Sequence, residues 1–174
     1  LFRDAEVQLG STLGQLTTMR LHGDGSGRLH TSGVPLDHPS LRTNGSFSLV
    51  HPDWAGTDSG TQPSRVIHLN VDAGSTLHTN STLRLAQIEV TLLRGAAVEA
   101  ARLEVSSGAS INVPEGSSVP SLWSLGGGGA RGWIGSRRWE LSRLDSQSTS
   151  TLYVSGQTQL TVQSADVAGT IDGT

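Results

Sequence analysis

The chain has 174 residues and no cysteine, and its 12 basic residues are all arginine. The first absence removes disulfides, thiolate nucleophiles and thiolate metal ligands, and by itself it does not fix the compartment. The second removes a Schiff-base amine and the lysine of a phosphate-binding P-loop. Aromatic residues make up 4% and hydrophobic residues 34%, little for a compact enzyme core. No apolar run reaches the roughly 18 residues of a membrane-spanning helix. A net charge of -3 and a pI near 6.0 argue against a dedicated nucleic-acid binder. The chain opens on "LFRDAEVQLG", a stretch that reads as neither an initiator Met nor a signal peptide. It closes on "VAGTIDGT", a strand-turn unit in mid-pattern, so a segment of a longer or processed polypeptide is expected.

What is present is glycine (22 residues), serine and threonine (together roughly a quarter of the chain) and recurring β-branched residues. The low net charge and the short alternating apolar runs separate this composition from disorder. "LNVDAGSTL" (Leu69 to Leu77), "LLRGAAV" (Leu92 to Val98) and "LEVSSGASI" (Leu103 to Ile111) share one shape: apolar residues, a small polar turn with a glycine, and a further apolar residue. "LYVSGQTQLTV" and "LTVQSADVAGTI" continue it, and "MRLHGDGSGRL" is a looser copy. The spacing is irregular, from about 13 to about 21 residues. Each copy reads as a period-2 strand followed by a tight turn, and it buries its apolar face only by stacking on its neighbours. The competing reading over "LLRGAAVEAARLEV" is a helix, since Ala and Glu are good helix formers.

These units resemble the parallel β-helix (β-solenoid) repeats of large extracellular proteins, such as filamentous-haemagglutinin-type adhesins and fibrocystin-like surface proteins. The likeness covers Val66 to Thr174 and, more loosely, Val7 to Gly33. It implies an all-β, parallel β-helix segment spanning 1–174 as a single domain, right-handed by the general bias of parallel crossovers. An antiparallel β-sandwich is the alternative fold. Two stretches, about 34–64 (rich in Pro, His, Asp and Gly, around a short strand "SFSLV" at Ser46 to Val50) and 114–147, read as long loop excursions.

The second of these holds "SLGGGGARGWIGSRRW", with a G-x-G-x-x-G at Gly127, Gly129 and Gly132. A dinucleotide site needs a helix after the glycines, and Gly135 and two tryptophans interrupt one. Trp123, Trp133 and Trp139, beside Arg137 and Arg138, are the candidate ligand-binding residues. Indole faces stack on sugar rings and guanidinium groups bind carboxylate or sulfate bidentately. The bland alternative is that the tryptophans cover the core and the arginines face solvent. Single strands of nucleic acid, which like mixed cations and aromatics, are disfavoured by Glu140, Asp145 and the acidic chain.

Catalysis on a β-helix requires paired carboxylates, or acids with basic partners, on adjacent turns. The 15 acids are scattered, and the densest group, Asp53 and Asp58 near His51, lies in a Pro-rich stretch. No histidine pattern fits a metal, and "GDGSG" around Asp24 is similar to a calcium turn but lacks the remaining acids. No catalytic residue, cofactor or metal is therefore expected. Asn44 and Asn80 stand in N-x-S/T sequons, glycosylation acceptors if the chain is secreted. The expected function is a non-catalytic structural or adhesive scaffold, extracellular or at the cell surface. Its expected partners are other subunits or neighbouring solenoid segments, with glycans as candidate ligands. A polysaccharide-acting enzyme or carbohydrate-binding domain on a β-helix is the alternative.

Overall fold

A computed structural model describes residues 5–9, 27–31, 36–37, 41–43, 47–50, 67–71, 73–135 and 138–173, with side chains from His68 onward. In chain order the strands are β1 (Ala5–Leu9), β2 (Gly27–Thr31), β3 (Leu36–Asp37), β4 (Leu41–Thr43), β5 (Phe47–Val50) and β6 (Ile67–Val71). There follow β7 (Thr76–Thr79), β8 (Thr82–Ala86), β9 (Ile88–Leu92), β10 (Ala97–Glu99), β11 (Arg102–Ser106) and β12 (Ser110–Val113). The last are β13 (Leu122–Leu125), β14 (Arg131–Ile134), β15 (Arg138–Ser146), β16 (Thr151–Val154), β17 (Gln159–Val167) and β18 (Thr170–Gly173). No helix occurs among the described residues, and none is long and apolar enough to cross a membrane.

Every strand pairing among the described residues is parallel. The first sheet has the order β1-β2-β5-β8-β11-β13-β15-β17, the second β3-β6-β9-β12-β14-β16-β18, and a third joins β4, β7 and β10. Successive turns of the chain therefore lie on one another as a parallel β-helix, and the antiparallel sandwich is excluded. Leu85 pairs with Val105 and Val105 with Leu125 in the first sheet; Ile67 pairs with Ile88 and Val90 with Ile111 in the second. The repeat is thus a whole three-sided turn, and its glycines sit at two different corners. Gly74, Gly95 and Gly116 occupy one corner at φ of 81°, 88° and 86°, a conformation that favours glycine. Gly108 belongs to another, which is why the sequence spacing looks irregular.

Period-2 burial fills the interior. Inward Leu83, Leu85, Leu103, Val105, Leu125 and Leu144 come from the first sheet, and Leu69, Val90, Ile111, Ile134 and Leu152 from the second; all are buried. Burying a side chain of this size contributes about 1.5–3 kcal/mol, and the continuous column needs few aromatics. The segment weighed as a helix forms the end of β9, a turn closed by Ala96 N–H donating to Leu93 O at 2.8 Å, then β10 and β11. Gly95 at positive φ and the inward Val98, Leu103 and Val105 suit strands stacked on neighbours, and tertiary burial overrides the helix propensity of the alanines.

The short strand expected within the first excursion is present as β5, with β3 and β4 as further strands there, whereas the second stretch is not a long loop. Leu36, Leu41 and Leu49, within 34–64, pair in register with Leu69, Leu77 and Leu85. The chain between Leu49 and Leu85 is longer than the single turn from Leu85 to Val105. Nearly all of the extra length falls between β5 and β6, where residues 51–66 lie outside the described residues. The stretch 114–147 carries β13, β14 and β15. Its Pro114, Gly116, Pro120, Gly126 to Gly129 and Gly135 mark corners between short strands, so density of turn residues there signals tight corners rather than a long loop.

Candidate functional site

The glycine run joins β13 to β14 as a tight corner. Gly128 and Gly129 adopt φ of 76° and 80°, and a Cβ on Gly128 would stand 3.1 Å from the Ser107 Cα of the turn below. Gly127 N–H donates to Gln147 Oε1 at 2.7 Å, and Gly128 N–H donates to Thr149 Oγ1 at 2.9 Å. In a phosphate loop such amides face the anion; here two side chains of the following turn occupy them. Gly132 lies in β14 with its Cα toward the core. A Cβ there would be 3.1 Å from both Trp123 Cζ3 and Leu152 Cδ1. The third glycine of the motif makes room for an indole.

Trp123 is 0% exposed, and its Nε1–H donates to Pro120 O at 2.8 Å, so it belongs to the core and not to a ligand platform. Trp139 is half-buried against that core, with Nε1–H donating to Gly135 O at 3.0 Å. Arg138 is exposed and pairs with Glu140 at 3.0 Å. Arg137 lies outside the described residues, as do Asn44, Asp24, His51, Asp53 and Asp58. Trp133 points outward from β14 and stacks on Tyr153 of β16, centroids 4.9 Å apart and planes at 10°. The structure thus splits the expected platform, leaving Trp133 as its outward aromatic. Tyr153 was missed by sequence reasoning. The signal that finds it is the turn period, since it stands one full turn after Trp133 in direct register.

No protein-family model, curated protein or solved structure matches the chain.

The outer face of the first sheet carries the densest charge. Arg84 Nη2 lies 2.7 Å from Glu104 Oε2 one turn on. Arg102 reaches Asp145 at 3.6 Å, and Arg143 Nε lies 2.8 Å from Asp145 Oδ1. That hydrogen bond and the Asp145 charge hold the exposed Arg143 guanidinium above its ordinary pKa, with a lesser contribution from Asp166. Arg102 Nε stands 3.3 Å from Glu104 Oε1 without hydrogen-bond geometry, the one buried side-chain polar atom with no hydrogen bond among the described residues. Acids that look scattered in sequence are brought together here, for Asp145 and Asp166 are register partners on β15 and β17.

Elsewhere, His68 and Glu89 lie 2.9 Å apart across adjacent turns, as do His78 and Glu99. Among the described residues no three His, Asp or Glu side chains group to hold a metal. Asn80 sits exposed in the bend between β7 and β8. Chemically, the first sheet offers an ion-paired surface and the second an aromatic one.

Proposed function

We propose that the chain is a non-catalytic structural or adhesive scaffold, extracellular or at the cell surface, whose outer faces meet other subunits or glycans. The observation that supports this reading is the mutual pairing of outward charges across turns, Arg84 with Glu104 and Arg102 with Asp145. General acids and bases act on substrate when they keep a proton or a lone pair for it. Carboxylates engaged by neighbouring arginines serve the wall instead. The resemblance to adhesin and surface-protein repeats points the same way.

The second reading, a polysaccharide-acting enzyme, has one observation in its favour, the register pair Asp145 and Asp166 beside Arg143. Incubation with pectate, xylan, hyaluronan and cellulose, read by reducing ends and by ultraviolet absorbance of unsaturated products, separates the two. The scaffold reading expects no release above the protein-free blank. Release that disappears in Asp145→Asn and Asp166→Asn overturns it.

A further inference from the structure

Outward positions of the second sheet form two columns along the stack. One runs Asn70, Thr91, Asn112, Trp133, Tyr153 and Asp172; the other runs His68, Glu89, Ser110, Arg131, Thr151 and Thr170. At the β6 end the outward groups are engaged, His68 with Glu89 at 2.9 Å and Asn70 with a partner of its own. From β12 onward the pattern changes. The side chains of Asn112, Arg131 and Asp172 are exposed and have no ion-pair or hydrogen-bond partner among the described residues. Between them the half-buried Trp133 and Tyr153 stack on one another. The first sheet, by contrast, ties its charges together at 2.7 to 3.6 Å.

We propose that this strip, from Asn112 through Trp133 and Tyr153 to Asp172, is a contact site for an uncharged polysaccharide chain. The inference rests on the scaffold reading and gives that surface a ligand class. Sugar rings present apolar C–H patches and hydroxyls together. The outer faces of the stacked pair, that of Trp133 turned toward Asn112 and that of Tyr153 toward Asp172, meet the patches, while the Asn112 amide, the Arg131 guanidinium, the Thr151 hydroxyl and the Asp172 carboxylate meet the hydroxyls. One cation and one anion leave the strip without net charge, which favours a neutral chain over a uronate or a nucleic acid. Successive strands place the groups about 4.8 Å apart on a regular sheet face, so the partners are held in position before binding.

The test is calorimetric titration of the full chain with cellohexaose, xylohexaose, mannohexaose and laminarihexaose. At least one is expected to bind. Trp133→Ala and Tyr153→Ala are each expected to weaken that binding about tenfold or more, as removal of an aromatic anchor does. Thr151→Arg, which crowds the strip without touching the core, is expected to weaken it while leaving the thermal midpoint unchanged. Arg84→Gln, on the first sheet, is expected to bind as the parent does. Failure of all four sugars to bind overturns the proposal, as does binding that survives both aromatic substitutions in folded protein. Such failure leaves the scaffold reading standing, whereas product release from polysaccharide sinks that reading.

Discussion

Trp123 and Gly132 meet across the core, and this contact gives the sharpest test of the packing. A methyl group on Gly132 would stand 3.1 Å from Trp123 Cζ3 and 3.1 Å from Leu152 Cδ1, tighter than ordinary contact. Overpacking of this kind costs about 1–3 kcal/mol. Relief of glycine's unfolded-state entropy offsets roughly 0.5–1 kcal/mol of that, so Gly132→Ala is expected to destabilise by about 0.5–2 kcal/mol. Trp123→Leu removes most of a fully buried indole and the hydrogen bond to Pro120 O at 2.8 Å. Truncations of this size cost about 3 kcal/mol. In the double variant the Gly132→Ala methyl enters space the indole has left. The added cost of Gly132→Ala should then fall by about 1 kcal/mol, a coupling above the roughly 0.5 kcal/mol within which independent sites add. Urea denaturation followed by far-ultraviolet circular dichroism measures all four proteins without relying on Trp123 fluorescence. Equal costs of Gly132→Ala in the parent and in Trp123→Leu would refute the contact.

Three further outcomes follow from the same geometry. Gly169→Ala should destabilise by about 1–3 kcal/mol in the same urea assay, because its Cβ would run into Ser146 Oγ and stand 2.6 Å from the carbonyl oxygens of Gln147 and Ser150; a neutral result would contradict the close approach. Gln147→Ala should cost about 1 kcal/mol by releasing the Gly127 amide, and ATP or NAD at millimolar concentration should leave the parent's thermal midpoint unmoved; a rise with either nucleotide would contradict the occupied amides. Glu104→Gln removes the carboxylate charge shared by Arg84 and Arg102 and should cost about 1 kcal/mol at low salt, the upper range for exposed pairs. The difference should shrink in 1 M NaCl, where the Debye length is about 3 Å.

The architecture was legible because its signals are local. Alternation such as "LEVS" at Leu103 to Ser106 states which side chains turn inward, and a glycine at a corner states where the chain bends. The extent of the excursions was not legible, since the corner of a short strand and the corner of a loop use the same Pro and Gly. The candidate site was less legible still. Register partners in the regular turns stand one whole turn apart in sequence, as in Leu152 with Ile171 and Val7 with Leu29. Asp145 meets Asp166, and Trp133 meets Tyr153, only once the turn length is applied as a ruler.

The stretch "SLGGGGARGWIGSRRW" shows what a motif leaves unsaid in a stacked fold. Its backbone donors are available to a ligand only if the turn above leaves them free, and Gln147 and Thr149 do not. Gly132 is set by Trp123, which precedes the glycines closely in sequence yet reaches Gly132 across the interior. Trp133 and Trp139 are near neighbours along the chain, but one faces outward on the second sheet and the other packs on the core from β15. Neighbours in sequence therefore divide among three duties, and residues one turn apart share one. A spacing pattern inside a single turn carries little about ligands, while the same residue types recurring at the turn period carry a great deal. On that criterion Asn112, Trp133 and Tyr153, each one turn from the next, make the stronger claim to a binding face than the arginine and tryptophan cluster read along the chain.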